Sequence, residues 1–575
     1  MEIDNGGGYI AGEMMIMYKM PLGVENFRDL VEGGYAYVDK TYFIKELLDN
    51  GIPVTLLSRP RRFGKTLTLS MIREFFDVKN RDRNIFEGLK IAEAGEEYMQ
   101  HRGKYPVVFL SVKEATGLSY EEAKNTFCRK LSDLYAEYEF LRESPKLSQR
   151  DKDYFESIYK LPDGKEYQDD KWKISLKQLM IFLYKHYGEK PILLLDEYDA
   201  PIQAAWENGY YDQIITFVRS MYSEAFKTNE ALNFAVLTGV LRVAKESIFS
   251  GLNNLMVCSV LSEDYNDVIG FTYEEVARMA DTVGRQDRLP ELKEWYDGYN
   301  FGGAEIYNPW SVIQYFQAKC KPGAYWVNTS ANGIIQRMVQ GMGKATERQL
   351  QRLMDGGSVW AIVNENVIYA EIGNNADDLY SILMNTGYLK PVNINSEDRE
   401  EVELQIPNKE IFSLFRTEIF RNMNGYRGIT YVRHMLESML NGDLDEFDMN
   451  LESILKNNAS FHDTANGESF YHGMMLGFCV LLKDTHIVKS NRESGYGRFD
   501  LALIPKTPEG QGVILEFKRA ESKAQLQEKA KEALRQIEDM EYITGMQERK
   551  IRKVWKYGVA FYGKRIAMEY GEIKD

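Results

Sequence analysis

Cysteine is scarce: four in 575 residues, Cys128, Cys258, Cys320 and Cys479, with no CxxC pair. That scatter excludes a disulfide framework and a zinc–thiolate site, and it predicts a reducing, cytoplasmic setting. Long apolar runs are missing too. The N-terminal patch MMIMYKM is short and broken by Lys19, and Glu2 and Asp4 stand where a secretory leader would carry basic residues. Neither a signal peptide nor a membrane span is expected, and residues 1–17 read as a loose extension. There are no internal repeats and no low-complexity linkers. Positive charge is in deficit, at a net −15, which at first speaks against nucleic acid as a partner. The deficit is uneven. Residues 481–575 hold 19 Lys and Arg against 15 Asp and Glu, a net of +4 that leaves −19 for the remainder. The acidic total therefore does not describe every part of the chain.

What is present is ordinary for a globular protein: 44% hydrophobic and 27% charged residues, with 13% aromatics arguing against disorder. The length suits two to four domains. Residues 51–58 (GIPVTLLS), 105–112 (YPVVFLSV), 191–201 (PILLLDEYDAP) and 231–240 (ALNFAVLTGV) are short apolar runs of the kind that form buried parallel strands. Helical patterns lie between them, over 65–77 and 119–186, so an α/β sheet is expected. Residues 271–455 read as mostly helical, a lid or connector. From 456 the pattern becomes helix, three strands, helix, strand.

The stretch SRPRRFGKTLTLS, residues 58–70, places Gly64, Lys65 and Thr66 between a strand and a helix. A phosphate loop needs that order, because the exposed N–H groups of the turn and the helix N-terminus face the anion. Gly64 permits close backbone approach. Lys65 would reach the β- and γ-phosphates, and Thr66 would offer its hydroxyl to Mg²⁺. The glycine that usually opens such a loop is replaced by Arg59, while Arg61, Arg62 and Phe63 fill its turn. A basic surface loop is the bland alternative. It weakens beside LLLDEYD (193–199), where an apolar strand ends in acids. There Asp196 would hold Mg²⁺ and Glu197 would polarise the attacking water. Thr238, at the end of a further strand, could sense the γ-phosphate. Arg242 could pair with that phosphate in its own subunit or a neighbour's, so a homo-oligomer is one expectation.

The blocks PLGVENFRDL, YVDKTYFIKELL, RPRRFGKTLTLSMI, LLLDEYDAPI, TGVLRVAKESIFSGLNNL and EWYDGYNFGGAEIYNPWSV follow one another over about residues 20–315. Together they resemble the predicted AAA-ATPase-like family, a variant P-loop NTPase group that tolerates a non-glycine at position 59. The resemblance implies ATP and Mg²⁺ as ligands. YVDKT and WYDGYNFGG read first as structural elements.

Towards the C-terminus, RFDLALI (498–504) and GVILEFK (512–518) both alternate. In a hairpin, Asp500 would meet Glu516 and Lys518 on one face. Two carboxylates with a lysine suit metal-dependent phosphodiester cleavage. Oxygen ligands hold Mg²⁺ or Mn²⁺, and the lysine orients or helps deprotonate water. Glu468 on the preceding helix could join as a metal ligand, and Gln536 on the following helix could order water. The order of elements over about 455–565 resembles the PD-(D/E)XK nuclease superfamily, with Glu468, Asp500, Glu516, Lys518 and Gln536 at its positions. A plain hairpin with a solvated polar face is the alternative. His472 and His486 read as structural histidines, and RKIRKVWK (549–556) as a solvated edge that could contact phosphates.

The expected organisation is an extension (1–17), a P-loop domain (18–270), a helical lid or connector (271–455) and an α/β nuclease-like domain (456–575). The expected function is an ATP-binding or ATP-hydrolysing protein coupled to a metal-dependent nuclease, with DNA the favoured target and no membrane partner. The alternatives are an ATP-driven switch whose nuclease-like domain only recruits a partner, or a scaffold without catalysis.

Overall fold

A computed structural model describes residues 19–161, 169–227, 229–241, 254–326, 349, 352–354, 356–364, 376–396, 400–415, 428–458, 468–482, 485–494, 497–539, 551 and 553–574. The chain forms two compact units, one from residues up to 332 with 342–412, the other from 413 onward. The stretch read as a connector, 271–455, is therefore shared between the two.

The first unit is built on a five-stranded sheet. In chain order its elements are β1 (Val54–Ser58), α1 (Lys65–Phe76), β2 (Val107–Ser111), β3 (Ile192–Asp196), α2 (Ala200–Asn208), β4 (Ala235–Gly239) and β5 (Leu255–Cys258). The strand order is β2-β3-β4-β1-β5, and every pairing is parallel. Every residue of β1, β3 and β4 is buried, as a parallel sheet with both faces covered requires. β1, β2, β3 and β4 fall on the four apolar runs. β5 escaped that reading because it is a half-exposed edge strand of four residues. The register sets Leu57 beside Thr238 and Leu195 beside Leu237, so the loop after β1 and the acids after β3 flank the end of β4.

The continuation of this unit is not purely helical. α3 (Leu289–Tyr296) leads into a small hairpin, β6 (Tyr299–Phe301) and β7 (Ala304–Ile306), and then α4 (Pro309–Gln317). Beyond it β8 (Val359–Ile362), β9 (Lys390–Ile394) and β10 (Glu401–Gln405) form an antiparallel sheet of order β8-β10-β9. These strands lie among longer helices, so the stretch 271–455 holds short strands that the mostly helical reading did not single out. These strands are three to five residues long, and in β10 glutamates alternate with the buried Val402 and Leu404. A pattern that short does not separate from a helical one by periodicity.

The second unit contains α5 (Gly428–Asn441), α6 (Leu444–Asn458), α7 (Glu468–Cys479), β11 (His486–Ser494), β12 (Gly497–Pro505), β13 (Gln511–Arg519), α8 (Leu526–Asp539), β14 (Lys553–Tyr562) and β15 (Arg565–Lys574). The strands run β11-β12-β13-β14-β15, parallel only between β13 and β14. One face packs Leu501, Leu503, Val513, Leu515 and Phe517 against Met435, Phe447, Leu451, Met475 and Phe478 of α5, α6 and α7. The other packs Ala502, Ile504 and Ile514 against Ile537 of α8. The closing strand β15 lies beyond the sequence expectation, which ended at β14. Among the described residues no helix is long and apolar enough to cross a membrane.

Candidate active sites

The first site begins where β1 stops. Gly64 takes a left-handed φ of 100° and caps the start of α1. A side chain would have open space there but a strained backbone, so conformation selects glycine. Arg62 is also left-handed, at φ 68°. Arg59, in the place of the usual glycine, is fully buried and its side chain turns away from the loop's mouth. Nη1 donates to the carbonyls of Ser58 (2.9 Å), Cys258 (2.8 Å) and Ser259 (2.7 Å), and Nη2 to that of Tyr265 (3.0 Å). Burial pushes its pKa down to about 10, which leaves it charged at neutral pH. The variant residue thus ties the loop to the end of β5.

Lys65 is buried and donates to the carbonyls of Arg59 and Pro60, each at 3.1 Å, with Glu197 Oε1 3.9 Å away. Asp196 accepts from Thr66 Oγ1 at 2.9 Å and from Thr238 Oγ1 at 2.6 Å. Burial raises the Asp196 pKa, against the two hydroxyl bonds that lower it. Glu197 sits at φ 54°, a strained conformation for a non-glycine residue of the kind concentrated at functional sites. Arg61 donates to Gln203 Oε1 at 2.9 Å. The Arg62 guanidinium lies 4.3 Å over the ring of Trp310. The Phe63 ring is buried, edge-on to Tyr299 at 4.9 Å, so it anchors the loop. Arg242 lies outside the described residues.

Lys65, Thr66 and Glu197 border a cavity of about 730 Å³ lined by residues 61–68 together with Gln203, Val24, Val38, Phe271 and Trp310, while Asp196 and Thr238 are buried outside its lining. A helix N-terminus, a lysine and a buried Asp–Thr pair at the carboxyl ends of adjacent strands fit a nucleotide phosphate chain with its divalent ion. Two partners escaped the sequence reading. Asp199 is fully buried and accepts from Val240 N (2.9 Å) and Leu241 N (2.8 Å), with burial pushing its pKa up to about 6. Its position three residues after Asp196 was the available signal. Nothing in the sequence ties Trp310 to position 62.

The second site sits on β12 and β13. Leu501 pairs with Leu515, which sets Asp500 opposite Glu516 on the face covered by α8. Asp500 N donates to Glu516 Oε2 at 3.3 Å, Phe517 N donates to Asp500 Oδ2 at 2.8 Å, and Gln536 Nε2 of α8 donates to Glu516 Oε1. Glu516 is 4% exposed, and Lys518 is half-buried two residues further along β13. Glu468 opens α7, and its side chain lies outside the described residues. No cluster of three metal-ligating side chains occurs among the described residues. The Asp500–Glu516 pair nonetheless offers the hard oxygen donors that Mg²⁺ or Mn²⁺ takes. His472 Nε2 bonds the Asp500 carbonyl and His486 Nε2 that of Gln511, each at 2.9 Å. Trp555 is buried, so it offers no stacking platform to a nucleic acid.

Over 314 residues, 54% of each chain, the sequence is 30% identical to an uncharacterized protein in the vnfD 5′ region of Azotobacter chroococcum mcd 1, so the match spans about half the length of that relative. Residues 21–249 match the family model described as Predicted AAA-ATPase, and residues 466–570 match that of the PD-(D/E)XK nuclease superfamily.

Proposed function

We propose that the chain binds and hydrolyses ATP in the first site, and that the second site is a metal-dependent nuclease acting on nucleic acid, with DNA the favoured target. The observation that carries the first half is Lys65 and Thr66 in the cavity wall, with Thr66 hydrogen-bonded to the buried Asp196 and Asp196 in turn to Thr238. Lys65 neutralises the β- and γ-phosphates. Thr66 and Asp196 hold Mg²⁺, and Glu197 orients the attacking water. Arg61 and Arg62 add positive potential, and Thr238 with Arg242 reads the γ-phosphate. The second half rests on the two carboxylates held side by side, Glu516 accepting from Asp500 N and Gln536 Nε2 and Asp500 accepting from Phe517 N. Asp500 and Glu516, joined by Glu468, hold the ion, and Lys518 orients water. A bound divalent ion supplies charge stabilisation at the scissile phosphate. A cytoplasmic setting suits both activities.

The test is cleavage of supercoiled plasmid and of single-stranded DNA and RNA with Mg²⁺ or Mn²⁺, for wild type, Glu516→Ala and Lys65→Ala. Glu516→Ala is expected to lose cleavage, and Lys65→Ala to lose nucleotide binding. Equal cleavage by wild type and Glu516→Ala on every substrate would falsify the nuclease half. A second reading, an ATP-driven switch that does not cut, draws on the two carboxylates that meet among the described residues where three ligands are common. Nucleotide binding without cleavage of any substrate supports it.

A further inference from the structure

The phosphate loop is held from behind by side chains more than two hundred residues further along the chain. Trp326 Nε1 donates to the Arg61 carbonyl at 2.8 Å. The backbone N–H of the same tryptophan donates to Glu410 Oε1 at 2.7 Å, and Ser311 Oγ donates to Glu410 Oε2 at 2.8 Å. The Trp326 ring packs against Tyr388 with centroids 5.2 Å apart. A side chain at Gly387 would come within 3.0 Å of Pro60. Glu410 is fully buried, and among the described residues no basic side chain offsets it. Tyr296 on α3, Tyr299 on β6 and Tyr325 beside Trp326 are the titratable groups that feel its charge.

A buried carboxylate without a cation is costly, and a packing role alone would be filled by an apolar residue. Here two donors converge on it, one on each oxygen: the backbone N–H of Trp326 and the Ser311 hydroxyl. Their common effect is to fix Trp326, and Trp326 fixes the carbonyl of Arg61. Turning that peptide would turn the neighbouring N–H groups that a phosphate must meet. We propose that Glu410 is a positioning residue for the phosphate loop, acting through Trp326 to keep the peptide after Arg61 in its phosphate-binding orientation. The inference rests on the nucleotide reading of this site. Burial pushes the Glu410 pKa up to about 7, so the group changes charge in the neutral range.

The experiment is titration of the full chain with a fluorescent ATP analogue and Mg²⁺ at pH 6 and pH 8, with melting temperatures recorded for each variant. Trp326→Phe keeps an aromatic ring but loses the indole donor, and is expected to weaken binding about tenfold, the scale of one buried hydrogen bond. Glu410→Ala weakens it further. Glu410→Gln, which still accepts from Trp326, stays near wild type at both pH values. Should Glu410→Ala fail to fold, Trp326→Phe and Glu410→Gln decide the matter. The inference is overturned if folded Trp326→Phe binds as wild type does, or if Glu410→Gln loses as much affinity as Glu410→Ala. Lys65→Ala separates the two levels: if wild type and Lys65→Ala both fail to bind, the nucleotide reading falls and takes this inference with it.

Discussion

At the scale of single residues, Arg59 shows how a departure from a motif is absorbed. A phosphate loop opens on glycine because its backbone needs room and unusual dihedrals. This loop places its left-handed residues later, at Arg62 and Gly64, and uses position 59 to pin four carbonyls. Restoring the usual glycine is therefore expected to harm the protein. Arg59→Gly leaves buried acceptors unpaired, at a cost of at least about 3 kcal/mol. Thermal unfolding measures it, and a variant as stable as wild type with tighter ATP binding would refute the staple. Thr238 gives a second case. Thr238→Val keeps the shape but removes the hydroxyl from Asp196 Oδ1, leaving a buried carboxylate with one fewer donor. ATP hydrolysis is expected to fall about tenfold or more while nucleotide binding persists. Unchanged turnover would show that Thr238 has no part in holding Asp196.

At the scale of elements, the second site depends on how closely α8 approaches the sheet. Glu516 on β13 is level with Gly558 on β14. A side chain at Gly558 would come within 2.3 Å of the Ala530 carbonyl and 2.4 Å of the Leu534 nitrogen, both backbone atoms of α8. Only a bare Cα lets the helix lie low enough for Gln536 to reach Glu516. Gly558→Ala must lift the helix, costing about 1–3 kcal/mol by overpacking, and is expected to lower cleavage together with the melting temperature. Preserved cleavage in a destabilised variant would detach Gln536 from the site. The alternation of Phe499, Leu501 and Leu503 with Asp500 made the facing of Asp500 and Glu516 legible in the sequence, because a period of two leaves no choice of side once the core face is known. The four buried strands of the first sheet were legible for a similar reason, as uninterrupted apolar runs. What was not legible has physical causes too. β5 and β15 are edge strands and need few apolar residues. β8, β9 and β10 are too short to show a period. The links Trp310–Arg62 and Trp326–Arg61 join residues about 250 positions apart, where no local pattern carries information.

At the scale of the whole molecule, the first unit carries a load of buried acid. It holds Asp196, Asp199, Asp297 and Glu410 with pKa values raised chiefly by burial, to about 6 for Asp199 and about 7 for Glu410. A raised carboxyl binds its proton more tightly when folded than when unfolded. Its stabilising contribution is complete below the ordinary carboxylate range, near pH 4, and is lost as pH climbs through 6 to 7. The first unit should therefore melt at progressively lower temperature between about pH 5 and pH 8. Glu410 alone contributes up to about 3 kcal/mol of this loss at pH 8, from its displacement to about 7 at about 1.4 kcal/mol per pH unit. Scanning calorimetry of the full chain at pH 5, 6, 7 and 8 reads the trend. Asp199→Asn and Glu410→Gln should each flatten it, the second between pH 5 and 7, where the native carboxyl still holds the proton that the unfolded one has released. On the proposed nucleotide reading, binding near neutral pH would ask this unit to keep acids buried in a range where they pull against the fold. A melting temperature that rises from pH 5 to pH 8, with both variants tracking wild type, would mean that these carboxyls are solvated in the folded protein.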